Sequence, residues 1–140
     1  MHILCIKSEN TENLSLILKY CDNKVFNITD KNGRIPLHYF LANKKLTKDE
    51  NLFKQFLSFH EEIYLNIKEN KGRIPLQIYL SQKKIRLPFL QFLISSKSRV
   101  DSCDHFSENS LHYFCKRKDL SYPIAQLLFG IFFFFSNFLK

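Results

Sequence analysis

The stretch Gly-Arg-Ile-Pro-Leu occurs twice in this chain, at Gly33–Leu37 and at Gly72–Leu76, 39 residues apart. A spelling repeated at that distance points to a fold assembled from similar units, so repetition is tested before single elements are assigned. Three stretches align on one leucine: NITDKNGRIPLHYFL from Asn27, NIKENKGRIPLQIYL from Asn66 and DSCDHFSENSLHYFC from Asp101. The alignment superimposes Leu37, Leu76 and Leu111. A second apolar motif follows each of them, KQFLSF from Lys54, LQFLIS from Leu90 and AQLLFG from Ala125. The first residues extend the series, because MHILC overlays LHYFC and sets Met1 on Leu111, His2 on His112 and Cys5 on Cys115. The reading is about four units, at 1–26, 27–65, 66–100 and 101–130, with an apolar tail at 131–140. The first unit starts without the preceding turn and proline.

Each unit makes physical sense as a turn followed by two short helices. Gly33 and Gly72 suit a turn that needs positive φ. Pro36 and Pro75 suit the first helical position, where no amide hydrogen is required. Leu37, Phe40 and Leu41 then share one helical face, as do Leu76, Tyr79 and Leu80, and Leu111, Phe114 and Cys115. After a polar loop, Leu52, Phe53, Phe56 and Leu57 mark a second helix, as do Phe89, Leu90 and Leu93. One such pair cannot cover its own apolar face, so neighbours must stack to complete a core. The expected fold class is all-α, with Cys115 turned toward the core as a buried structural thiol.

With 140 residues the chain is one domain, large enough to bury a core. The net charge of +8 makes acidic proteins, nucleic acid or anionic membrane plausible partners and says nothing about fold. Cys5, Cys21, Cys103 and Cys115 form no CxxC pair, and MHILCIKSEN is a poor signal peptide, so reduced thiols in a cytoplasmic setting are expected.

The turn, the Pro-Leu-His opening and the paired helices resemble the ankyrin repeat over nearly the whole chain, Met1 to about Gly130. The resemblance implies a solenoid that binds proteins without catalysis or cofactor. In that family the histidine ties its turn to the adjoining repeat, a role that falls by match to His38, His112 and His2, with Gln77 as an amide substitute. The family's capping threonine is absent: Ile35 and Ile74 cannot cap a helix, whereas Asn109 can. The small Ala-Ala pair is replaced by Phe40-Leu41, Tyr79-Leu80 and Phe114-Cys115. Bulky residues after the histidine look like the ankyrin proteins of large poxviruses, which implies a host-interaction or host-range factor, or a truncated remnant of one. The F-box-like segment of many such relatives is not seen. The turn tips and first helices usually form the family's recognition surface, so Asn32, Arg34, Tyr39, Lys71, Arg73 and Tyr113 are the expected contacts with a host or cellular protein. Tyr39 and Tyr113 read equally well as packing residues.

Seven residues beyond the aligned leucines, Lys44, Lys83 and Lys118 coincide, with Lys45, Lys84, Arg86, Lys116 and Arg117 around them. Stacked loops would gather these cations into a ridge, which reads first as a solvated surface and, in the alternative, as a site for an acidic protein face, phosphate or nucleic acid. No aromatic residue interleaves them as single-strand binding needs, which ranks nucleic acid low. No phosphate loop, GxSxG or HExxH motif occurs, and the expectation is no enzyme. Cys103, His105, His112 and Cys115 match no common zinc spacing, and no metal is expected. The tail, LLFGIFFFFSNFLK from Leu127, is short for a membrane span. It stays open as a cap, an anchor or out-of-frame sequence.

Overall fold

The computed structural model describes residues 1–7, 11–58, 62–118 and 121–138, whose regular structure is entirely helical. The α-helices are α1 (His2–Lys7), α2 (Thr11–Leu18), α3 (Pro36–Ala42), α4 (Glu50–Leu57), α5 (Pro75–Leu80), α6 (Leu87–Ser95), α7 (Ser110–Cys115) and α8 (Tyr122–Phe138). Short 3-10 turns lie at Asn23–Phe26, Leu46–Lys48 and Glu62–Asn66. Helices α1, α3, α5 and α7 touch one another in chain order and form one row. Behind them α2 packs on α4 and α6 on α8, while Phe53 of α4 stacks on Phe89 of α6 at 4.2 Å between ring centroids.

Six or seven residues are too few for a helix to persist alone in water, so the first row is held by what surrounds it. Leu37, Phe40 and Leu41 of α3 are fully buried, and all six residues of α5 are buried. Both helices have a first-row neighbour on each side and a second helix behind. The second row buries the residues its spacing predicted: Leu52, Phe53, Phe56 and Leu57 in α4, and Phe89, Leu90 and Leu93 in α6. One core runs from Cys5 to Leu128. Aromatic rings thread its middle, with Phe40 stacked on Phe56 at 4.3 Å and Phe26 edge-on to Phe56 at 5.4 Å. The bulky pairs at 40–41 and 79–80 therefore point inward and fill the space between their own helices and the next.

One expectation needs correction. Cys115 is exposed, whereas Cys5, which overlays it, is fully buried. Cys5 lies under α3, but α7 has no later first-row helix against it among the described residues, so its matching face opens to solvent. The apolar segment from 131 begins within α8, which continues through Gly130 without a break to Phe138. Residues 139 and 140 lie outside the described residues. No described helix is long and apolar enough to cross a membrane.

Candidate functional site

The turns ahead of α3, α5 and α7 share one construction. An acid sits seven residues before each aligned leucine: Asp30, Glu69 and Asp104. Asp30 Oδ1 accepts from the amides of Asn32 at 2.8 Å and Arg34 at 2.9 Å, and Asp104 Oδ1 accepts from Phe106 and Glu108, both at 2.9 Å. Three residues after each acid the backbone turns left-handed, at Gly33 (φ 70°), Gly72 (φ 78°) and Ser107 (φ 61°). Successive turns join by one amide each: Asn70 N donates to the Asn32 carbonyl at 2.9 Å, and His105 N to the Lys71 carbonyl at 3.0 Å. The approach is close enough that a Cβ on Gly72 would lie 2.8 Å from His105 N.

A second set of joints starts from the third residue of each first helix. His38 Nδ1 accepts from Ile35 N at 3.2 Å, Gln77 Oε1 from Ile74 N at 2.9 Å and His112 Nδ1 from Asn109 N at 3.3 Å, which serves the N-cap amide from inside the helix. Two residues at this aligned position also bond the next turn. His2 Nε2 meets the Arg34 carbonyl at 2.8 Å, and Gln77 Nε2 donates to the carbonyls of Ser102 at 2.9 Å and Glu108 at 2.8 Å. His38 makes the slackest joint: its Nε2 faces the Arg73 carbonyl but has no partner within hydrogen-bond geometry. Burial pushes the His38 pKa down to about 4, against an upward pull from the Arg73 carbonyl and Glu69. His112 is exposed and bonds only within its own cap, where Asn109 Oδ1 accepts from Leu111 N and His112 N as its residue type predicted.

Four of the six expected contact residues are tied into these turns. Glu69 is nearly buried and takes two guanidinium groups, Arg73 Nε at 3.0 Å from its own turn and Arg34 Nη2 at 3.3 Å from the turn before. Burial opposes its ionisation, but Arg73, the Lys71 amide and Arg34 outweigh that and hold the carboxyl below its ordinary value. The Tyr39 hydroxyl donates to Asp30 Oδ2 at 2.6 Å and that of Tyr113 to Asp104 Oδ2 at 2.7 Å. Despite some burial, the Tyr39, Arg34 and Asn32 bonds bring Asp30 down to about 2. Tyr113 is raised to about 12, first by burial and then by Asp104. Of the six, Asn32 and Lys71 are exposed, and the Asn32 side-chain amide donates to Asp30 Oδ2 and to the Tyr39 hydroxyl, both at 3.4 Å. The sequence carried a signal for this that went unread: the acid keeps its position in three units, and tyrosine accompanies aspartate twice whereas Ile78 accompanies glutamate.

The expected ridge is drawn together at the other end of the first row. Lys44 and Lys45 border a groove with Lys7 and Tyr39. Lys44, Lys83, Lys84 and Arg86 line a cleft of about 580 Å³ with Lys48, which the alignment did not single out. Lys83 continues into a groove that it shares with Tyr113, Lys116, Arg117 and Lys118. Two of the arginines are structural ties. Arg117 donates to the carbonyls of Leu80 at 2.7 Å and Lys83 at 3.0 Å, closing the end of α5, and Arg86 Nη1 donates to the Lys48 carbonyl at 2.7 Å. Lys116 pairs with Glu108. Cys103, His105 and Cys115 are exposed, and no group of three His, Cys, Asp or Glu residues suited to a metal is found among the described residues.

No family model matches the chain, and no curated protein matches it in sequence.

Proposed function

We propose that the chain is an ankyrin-type module, a short solenoid of about four irregular units that binds a partner protein without catalysing a reaction. The observation that carries this reading is the repeated joint: equivalent amides at Asn70 and His105 bond the preceding turn, and His2 and Gln77 reach forward to equivalent carbonyls at Arg34 and Glu108. A chain that spends its conserved-by-position polar groups on joining units leaves its surface free for recognition, and the function of such a scaffold resides in what that surface meets. The partner is a host or cellular protein met in the cytoplasm, in keeping with the resemblance to poxviral ankyrin proteins, and the chain acts as a host-interaction factor.

The turn tips are the contact surface in this reading. Arg34 and Arg73 are poor probes of it, because each is bonded to Glu69 and a reversed charge there would place carboxylates together. Lys71, exposed and without a side-chain bond among the described residues, is a clean probe, and so is Lys31. Capture from host-cell extract by wild-type protein and by Lys31→Glu/Lys71→Glu tests the surface. The variant should lose the captured protein and keep the helical circular dichroism of the wild type. Undiminished capture by the variant overturns the tip surface.

A further inference from the structure

The cleft between the loops at 43–49 and 81–86 is lined by five cations, Lys44, Lys48, Lys83, Lys84 and Arg86, and by no carboxylate among the described residues. The four lysine ammonium groups have no hydrogen-bond or ion-pair partner among the described residues, whereas the guanidinium of Arg86 is fixed by the Lys48 carbonyl and lies over the Phe89 ring at 5.7 Å. Like charges gathered in one concavity repel one another, and the field they focus draws in an anion. We propose that this cleft binds an acidic polypeptide segment of the partner, rich in Asp and Glu; the proposal rests on the interaction-module reading above and assigns the chemistry of one of its contacts.

Two features select this occupant. The cations do not end with the cleft: Lys44 also borders the groove beside Tyr39, and Lys83 also borders the groove beside Tyr113. A run that crosses successive unit edges suits an extended chain with charge at intervals better than a single small anion. Among the described residues the cleft also offers no ring on which a base could stack, since its one large apolar side chain is Ile85 and Phe89 lies buried beneath Arg86. The tyrosine rings bordering the adjoining grooves already carry cations, Arg34 over Tyr39 at 5.3 Å and Lys116 over Tyr113 at 6.0 Å. Lysine, a hydrated point charge on a flexible stem, supplies four of the five cations, which suits the loose geometry of scattered carboxylates better than the bidentate grip that arginine gives a phosphate.

The test uses the full chain and a fluorescein-labelled peptide of alternating Glu and Ser, read by anisotropy at low and physiological salt. Lys48→Gln/Lys84→Gln removes two charges from the cleft without touching a hydrogen-bonded side chain, and Lys19→Gln/Lys24→Gln removes two outside it. The proposal expects the cleft variant to bind at least tenfold more weakly, the control to change less than twofold, and wild-type binding to weaken as salt rises. Equal losses in both variants, no binding by wild type at low salt, or a single-stranded oligonucleotide of equal charge held more tightly through Lys48 and Lys84 would each overturn it. Peptide binding lost instead in Lys31→Glu/Lys71→Glu moves the anion contact to the tips. Failure of the peptide with tip-dependent capture intact sinks this inference alone; failure of tip-dependent capture with the peptide still held in the cleft sinks the tip surface alone.

Discussion

Replacing His38 by glutamine tests the joint between units through its pH dependence. His38 is 1% exposed, and burial lowers its pKa to about 4 from an ordinary 6.5. At pH 7.5 the imidazole is neutral in both folded and unfolded chains, so its contribution to stability is fully present. Below pH 6.5 the unfolded chain takes up a proton that the folded chain refuses, and stability falls by about 1.4 kcal/mol per pH unit until the folded value is reached. The loss from this one group is about 2 kcal/mol at pH 5 and about 3 kcal/mol at pH 4. Gln77 shows that glutamine can do both jobs of this position, accepting from the N-cap amide and donating to the next turn. Urea unfolding of wild type and His38→Gln at pH 7.5, 6 and 5 separates the effect, since every other titrating group is common to both proteins. The two should be nearly equal at pH 7.5, with the variant ahead by about 2 kcal/mol at pH 5. Parallel pH profiles would refute the assignment of a buried neutral imidazole. A variant several kcal/mol weaker at pH 7.5 would refute the equivalence of positions 38 and 77.

Three further outcomes are expected. Gly72→Ala should lower stability by about 2 kcal/mol or more in urea unfolding, because a Cβ there adopts positive φ and meets His105 N at 2.8 Å; a neutral result would mean the adjoining turn yields freely. Phe53→Ala should cost about 3–5 kcal/mol, since the ring is fully buried and stacks on Phe89, and a loss below about 1 kcal/mol would disprove the contact between α4 and α6. Tyr113→Phe should leave the phenolate absorbance at pH 10.5 nearly unchanged, because the Tyr113 pKa is raised to about 12; a drop of about one sixth or more, since Tyr79 is raised as well, would show it ionising normally.

The first helices and the turns ahead of them were legible because the repeat is written in residues whose backbone roles are local. Glycine at 33 and 72, proline at 36 and 75 and the leucines at 37, 76 and 111 keep their places whatever surrounds them, and even the overlay of MHILC on LHYFC holds for His2, which reaches the Arg34 carbonyl. The side chains whose fate depends on a neighbouring unit were harder to read. Cys115 follows the buried pattern in spacing, yet whether that face is covered is decided by another helix. Arg34 and Arg73 look like free tip residues until Glu69 is folded between them. Lys48 falls outside the aligned positions because the loop before α4 is longer than the one before α6, and only the three-dimensional meeting of the loops adds it to the basic cleft.

Glu69 makes the second turn dependent on the one before it, for its carboxylate takes hydrogen bonds from an arginine in each, while Asp30 and Asp104 take theirs from the tyrosines and amides of their own units. The two Gly-Arg-Ile-Pro-Leu stretches are therefore alike in spelling without being exchangeable parts. A slippage deletion between them would splice residues 1–33 onto 73–140 and shorten the chain by one unit. Its surviving turn would bring Asp30 together with Ile78, a phenol-less combination found in neither parent, and Arg73 would exchange the Glu69 carboxylate for that of Asp30, one methylene shorter, at the same spacing. Genetic loss of a unit at this place thus removes more than length: it takes the tyrosine from an aspartate and gives an arginine a shorter acid.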